Sequence, residues 1–219
     1  MQDLSTVELE ILDHLKVRRP ELVECCDDLL ALHDRLIQLY DKGGKLLLCG
    51  NGGSHADSVH IAGELCKSFE RRRPLTDAFK SKLEGLPWGD ELSEHLESGL
   101  AAIPLGVSGA LKTAVENDSE LRDIAFAQEV MALAKPEDVL IGISTSGNAP
   151  NCLMAQSTAK AIGCTTVSIT GPHGGKLAMH ADLAVRAPGG STAVVQEAHI
   201  ALWHTMCLLI EAHYFPDKR

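Results

Sequence analysis

The hydrophobic positions of this chain fall into two periods, and their order along the sequence sets the architecture. Residues 4–15 carry Leu4, Val7, Ile11 and Leu15 at helical spacing, and Pro20 ends that run. From 21 to 41 the stripe Leu22, Cys25, Leu29, Leu32, Leu36 and Leu39 predicts a second helix with a helix–helix seam. Something must cover these two stripes, either a partner subunit or the chain's own domain. After Gly43-Gly44 the period changes. KLLLCG (45–50), VLIGIS (139–144), CTTVSIT (164–170) and LAVRAP (183–188) are short, continuous apolar runs, the mark of strands buried on both faces. Helices are expected from about Ser54, from about Pro150 to Ile162 and from about Thr192 to His213. Apolar strands alternating with helices predict a parallel, doubly wound α/β sheet.

Residues 70–103 fit neither period. They open on Glu70-Arg71-Arg72-Arg73-Pro74, and a short helix over 90–98 with Asp90 as its cap is expected. A segment of this length suggests a binding loop over or beside a ligand site. The arginines read by default as a solvated charge run, with contact to a second anionic group as the sharper alternative.

Composition narrows the classes. Apolar residues make up 45% of the 219 and aromatics only 4%, so this is a globular chain with an aliphatic core. A formal charge of −10 argues against non-specific nucleic-acid binding and requires any anionic ligand to be held by local donors. The seven cysteines are odd in number and form no CxxC pair, which points to reduced thiols and a cytoplasmic protein. The acidic, amphipathic start does not read as a signal peptide, and no uninterrupted apolar run has the length of a membrane span.

Two loops share one logic. Gly50-Asn51-Gly52-Gly53-Ser54 and Ser144-Thr145-Ser146-Gly147-Asn148 each follow a buried strand and lead into a helix. Glycines admit a ligand to the backbone, and hydroxyls with free helix N–H groups donate to phosphate oxygens. Neither loop contains a lysine, so neither is a nucleotide P-loop. Further along, His60 and Glu64 stand four apart on the first post-strand helix, while Gln196 and His204 stand eight apart on the last. Such side chains hold divalent metals and move protons between carbons. By spacing alone, such a Glu–His helix pair is most often a surface pair or a satisfied core pair. At about 12 Å along the helix axis, Gln196 and His204 share an ion only if their side chains lean together.

Taken in order, CGNGGSHADSVHIAGEL, NDS (117–119), ISTSGN and QEAHIALWH resemble the SIS domain of the sedoheptulose 7-phosphate isomerase (phosphoheptose isomerase) family over nearly the whole chain. The resemblance implies a three-layer α/β/α sandwich and a homotetramer with active sites between subunits. It implies a helical segment over 1–42 for oligomer packing and the SIS domain over 43–219, with an insertion at about 75–100. The implied activity is metal-assisted aldose–ketose isomerisation of a phosphorylated sugar, most simply sedoheptulose 7-phosphate. The implied phosphate contacts are Ser54, Ser144, Thr145 and Ser146. Asn51 and Asp118 would touch substrate hydroxyls, with Gly52, Gly53, Asn148 and Gln196 lining the same site. The implied metal, typically Zn2+, would sit on His60, Glu64, Gln196 and His204, with Glu64 and His204 as the acid–base pair. Ala149, Ser68 and Ala193 stand where the family carries serine, arginine and aspartate. The alternatives are an isomerase of another phosphosugar, or a non-catalytic phosphosugar-binding protein of the kind that associates with the replication initiator. Retention of all four metal-site residues argues against the latter.

Overall fold

In this computed structural model, which describes residues 4–216, five parallel strands form one sheet in the order β2-β1-β3-β4-β5. They are β1 (Leu46–Gly50), β2 (Ala102–Pro104), β3 (Val139–Ser144), β4 (Thr165–Thr170) and β5 (Leu183–Arg186). Alternation within the strands explains the layers. Leu46 and Leu48 face one core with Ile141, Val167 and Val185, while Leu47, Cys49 and Leu140 face a second. The first core is covered by α1 (Thr6–Arg18), α2 (Cys26–Asp41), α3 (Gly53–Cys66) and α10 (Thr192–Tyr214). In order, α4 (Asp77–Leu83), α5 (Gly89–His95), α6 (Gly109–Asp118), α7 (Ala125–Leu133), α8 (Pro150–Ile162) and α9 (Gly175–His180) complete the chain, and α7, α8 and α9 border the second core. This is the expected three-layer α/β/α sandwich.

The seam on the second helix is covered within the chain. Leu29, Leu32, Leu36 and Ile37 are buried in the same core as α10, so the stripe itself calls for no partner. The N-terminal pattern is displaced by one residue. Glu8, Leu12 and Leu15 face inward on α1, and Val7 and Ile11 lie at its margin. Helix α10 is long and apolar enough to cross a membrane by length and composition, but 56% of its apolar window is buried inside the fold, as befits a core helix.

The 67–101 segment leaves the end of α3 and returns into β2. Helix α3 starts where β1 ends and runs back beside the sheet for 14 residues, about 20 Å. The segment therefore begins at the sheet edge opposite the two hydroxyl loops. Its neck is closed by a bridge between Pro74 and Glu97, with Ser98 N donating to Arg73 O at 2.7 Å. Within its own chain it stands beyond the Glu64 end of α3 and not over the phosphate loops, so of the two expected placements, over or beside a ligand site, only the second is open to it within one chain. Arg71 and Arg73 are buried, not solvated. Arg73 Nε donates to Glu211 Oε1 at 2.8 Å, and its two Nη atoms donate to Leu65 O and Glu64 O. Arg73 thereby satisfies carbonyls at the end of α3 that have no partner within the helix.

Candidate active site

Strands β1 and β3 are neighbours at the switch point of the sheet, where chain order reverses, and ligands of open α/β sheets bind at such points. The two hydroxyl loops leave from the carboxyl ends of these strands. They enclose a cavity of about 370 Å³ lined by Asn51, Gly52, Gly53, Ser54, Ser144, Thr145, Ser146, Thr192 and Gln196, among others. Both loops thus stand at strand ends and border one cavity, as the sequence expectation requires. Gly147 turns at φ 65°, and a Cβ there would strike the Gly174 carbonyl. Gly53 lets the first turn of α3 lie against α10, since a Cβ would meet the Gln196 amide at 2.5 Å. Asn51 and Asn151 exchange amide hydrogen bonds of 2.9 and 2.8 Å, which ties the first loop to α8. Asn148 turns back on its own loop: its Nδ2 donates to Ser146 O, and its Oδ1 accepts from Lys176 N. Asp118 is exposed at the end of α6, where it accepts from Asn117, and does not line this cavity. Thr192 is a polar lining residue that sequence reasoning missed. Its signal is Gly189-Gly190-Ser191-Thr192, a third glycine–hydroxyl stretch opening a helix.

The cavity is lined by donors suited to an anion. Hydroxyls from two loops and the first turns of α3 and α10 border it. Ser146→Ala is expected to weaken inorganic phosphate or sugar phosphate binding about tenfold or more, the worth of one hydrogen bond to a charged group. Titration calorimetry reads this directly; an unchanged affinity places the anion elsewhere.

A second cluster lies along the same two helices. His60 Nε2 stands 3.0 Å from Glu64 Oε1, and Lys67 Nζ is 3.4 Å from Glu64 Oε2. The His204 ring lies edge-on to that of His60 at 5.3 Å, packed between Phe69 and Trp203 at 5.5 and 4.0 Å. Burial, and then the neighbouring His60, lower the pKa of His204, which favours the neutral imidazole. The four expected donors lie along the same two helices. His60, Glu64 and His204 gather between α3 and α10, while Gln196 lies two turns back, against Gly53 in the phosphate cavity. His199 points into the core, fully buried.

A different group of side chains is spaced to hold a divalent ion. Among the described residues, the ligand atoms of Glu8, His33 and His213 all lie within 4.8 Å of one another. No spacing rule signals it, because its members come from three helices. The signal is local: Glu8 and His33 sit on buried, otherwise apolar faces of α1 and α2.

Comparison with known proteins agrees with this geometry. The SIS domain family matches residues 115–213. A phosphoheptose isomerase of Trichlorobacter lovleyi is 37% identical over 211 residues, covering 96% of this chain and 95% of that protein. One from Helicobacter pylori is 35% identical, covering 95% of each. Among solved structures, phosphoheptose isomerase GmhA from Neisseria gonorrhoeae superposes with a TM-score of 0.67 at 32% identity, covering 91% of this chain and 93% of that one. A phosphoheptose isomerase from Francisella tularensis gives 0.71 at 26% identity, covering 94% and 98%.

Proposed function

The chain belongs to the phosphoheptose isomerase family of SIS-domain proteins, and from that membership we propose that it interconverts sedoheptulose 7-phosphate and an aldose heptose 7-phosphate. One observation carries the reading. Helices α3 and α10 both begin at the phosphate cavity, and both carry acid–base side chains two or three turns on. From Gly53 to His60 is about 10 Å along the axis, and from Ser54 to Glu64 about 15 Å. A long sugar phosphate anchored by its phosphate at the serines extends its carbonyl end toward His60, Glu64 and His204.

The chemistry then follows from the side chains. Glu64 removes a proton from C1 of the ketose, beside the C2 carbonyl, and an enediolate forms. A proton returned to C2, with transfer of the hydroxyl proton from O1 to O2, leaves the carbonyl at C1. His204, held neutral by its packing, accepts and returns the oxygen-bound proton. His60, Glu64 and His204 offer two imidazoles and a carboxylate, a donor set that fits a zinc-type ion. Such an ion, when bound, supplies Lewis-acid polarisation of the substrate oxygens. Gln196, at the cavity, is assigned to the substrate, as are Asn51 and Asp118. Asp118 requires a neighbouring chain or a moved α6 to reach it.

The exposed faces of α3 and α10 support a site completed by neighbours. Beside the acid–base residues, Val59 and Ile200 are 44% and 40% exposed. We assign the assembly as a homotetramer; light scattering should give four chains per particle, and a monomer at micromolar concentration contradicts it. The seven free thiols, six of them buried, fit a reducing, cytoplasmic compartment. The isomerase reading is tested by offering the metal-supplied protein sedoheptulose 7-phosphate beside fructose 6-phosphate, arabinose 5-phosphate and unphosphorylated sedoheptulose. Conversion of the first alone is expected. Conversion of a shorter sugar phosphate in its place moves the substrate, and conversion of none removes the activity.

A further inference from the structure

Away from the sugar site, Glu8, His33 and His213 bring together α1, α2 and α10. Glu8 is 3% exposed and His33 1%. The two oxygens of Glu8 have different surroundings. Oε2 is engaged by the capping box, accepting from Ser5 N and Ser5 Oγ at 2.7 Å each. Oε1 is directed inward, 3.2 Å from His33 Nε2 and 3.7 Å from His213 Nδ1. Glu8 Oε1 and both ring nitrogens of His33 are buried and make no well-aligned hydrogen bond among the described residues, although Glu8 Oε1 and His33 Nε2 meet as an ion pair and the His33 ring also faces the Leu209 carbonyl. Buried polar atoms are nearly always satisfied, and leaving them unpaired costs free energy. The imidazole rings of His33 and His213 meet edge-on at 5.9 Å, at an angle of 83°.

We propose that Glu8, His33 and His213 form a second, structural divalent-metal site that pins the two N-terminal helices to the last helix. The spacing supports this. A tetrahedral ion with bonds of about 2.0–2.2 Å holds its ligand atoms a little over 3 Å apart, close to the distances from Glu8 Oε1. Two imidazole nitrogens and one carboxylate oxygen select a zinc-type ion over magnesium or calcium, which take oxygen ligands. The His213 side chain is 29% exposed, which gives the ion an entry path and leaves room for water as a fourth ligand. The ion would satisfy Glu8 Oε1 and one nitrogen of each ring at once. This site is separate from the acid–base cluster on α3 and does not depend on the isomerase reading.

The test must separate the two donor sets. In a Glu64→Gln/His204→Asn variant the α3–α10 set is disabled, and competition of zinc against a chelating dye should still find one ion per chain. Zinc should also raise the thermal unfolding midpoint of that variant, since an ion that binds only the folded chain stabilises it. Adding His213→Ala should weaken zinc binding tenfold or more and remove the rise in midpoint, because the half-exposed ring is a ligand that can be lost with little disturbance to packing. Absence of zinc binding in the Glu64→Gln/His204→Asn variant overturns the proposal, as does undiminished binding once His213→Ala is added to a folded chain. If the triple variant fails to fold, the zinc-induced shift in the double variant decides: a rise supports the site and no rise overturns it.

Discussion

Glu64→Gln is expected to lower turnover of the sugar phosphate about a thousandfold, the usual worth of a positioned general base, while its affinity for the ligand and its unfolding midpoint stay at the parent values. The carboxylate is held on both sides, with His60 Nε2 at 3.0 Å from one oxygen and Lys67 Nζ at 3.4 Å from the other. Glutamine keeps the volume and an oxygen acceptor, but its amide, with the nitrogen lone pair delocalised, is far too weak a base to take a carbon-bound proton. The affinity should survive because the anion is held about 15 Å away, at the serine loops. Loss of affinity in step with turnover would instead make Glu64 a binding residue, and turnover close to the parent's would remove it from the proton transfer altogether. Kinetics paired with calorimetry on the same preparation separates these results.

Glu211→Ala is expected to destabilise the chain by about 3–5 kcal/mol, the cost of breaking a buried ion pair from one side. Glu211 is fully buried on α10, and its oxygens accept from Phe69 N, Glu70 N, Arg71 N and Arg73 Nε. Truncation leaves the Arg73 guanidinium without a counter-charge and three backbone N–H groups without an acceptor. Because Arg73 also holds the carbonyls of Glu64 and Leu65, the last turn of α3 should loosen, and activity should fall with stability. An exposed pair provides the contrast. Lys16 and Asp13 lie 3.1 Å apart with side chains 42% and 72% exposed, and removing that pair should cost under about 1 kcal/mol. Urea unfolding of both variants checks the ordering; a Glu211→Ala midpoint equal to the parent's would mean that this buried network contributes nothing net.

How far the sequence could be read depended on whether the partners were local. Strands β1, β3 and β4 are buried on both sides and read as continuous apolar runs, β5 was legible as a short apolar run at the other sheet edge although only Val185 in it is fully buried, and the glycine–hydroxyl loops that follow β1 and β3 were legible from their own residues. Strand β2 was not, because it is a three-residue edge strand ending in Pro104. The helix over 90–98 was placed to within a residue at its start but with the wrong cap: α5 begins at Gly89 after Trp88, which takes a left-handed φ of 64°. The arginine run looked solvated because the carboxylate that buries Arg73 lies 138 residues away. The same distance effect hid the Glu8, His33 and His213 group. The pairing of His60 with Glu64 and the two-turn spacing of Gln196 and His204 were legible from helical geometry, but the contact of the Gln196 amide with Gly53 was not, because the two lie on different helices.

The central claim is that proton transfer occurs at the carbons next to the carbonyl of a heptulose phosphate held by the serine loops. Incubation of the metal-supplied protein with sedoheptulose 7-phosphate in deuterium oxide, followed by NMR, tests it most directly. The account predicts that an aldose heptose 7-phosphate appears, that deuterium enters at the carbon next to the carbonyl, and that Glu64→Gln shows neither. Sedoheptulose 7-phosphate recovered unchanged and undeuterated, from a protein that is folded and binds it, would contradict the account.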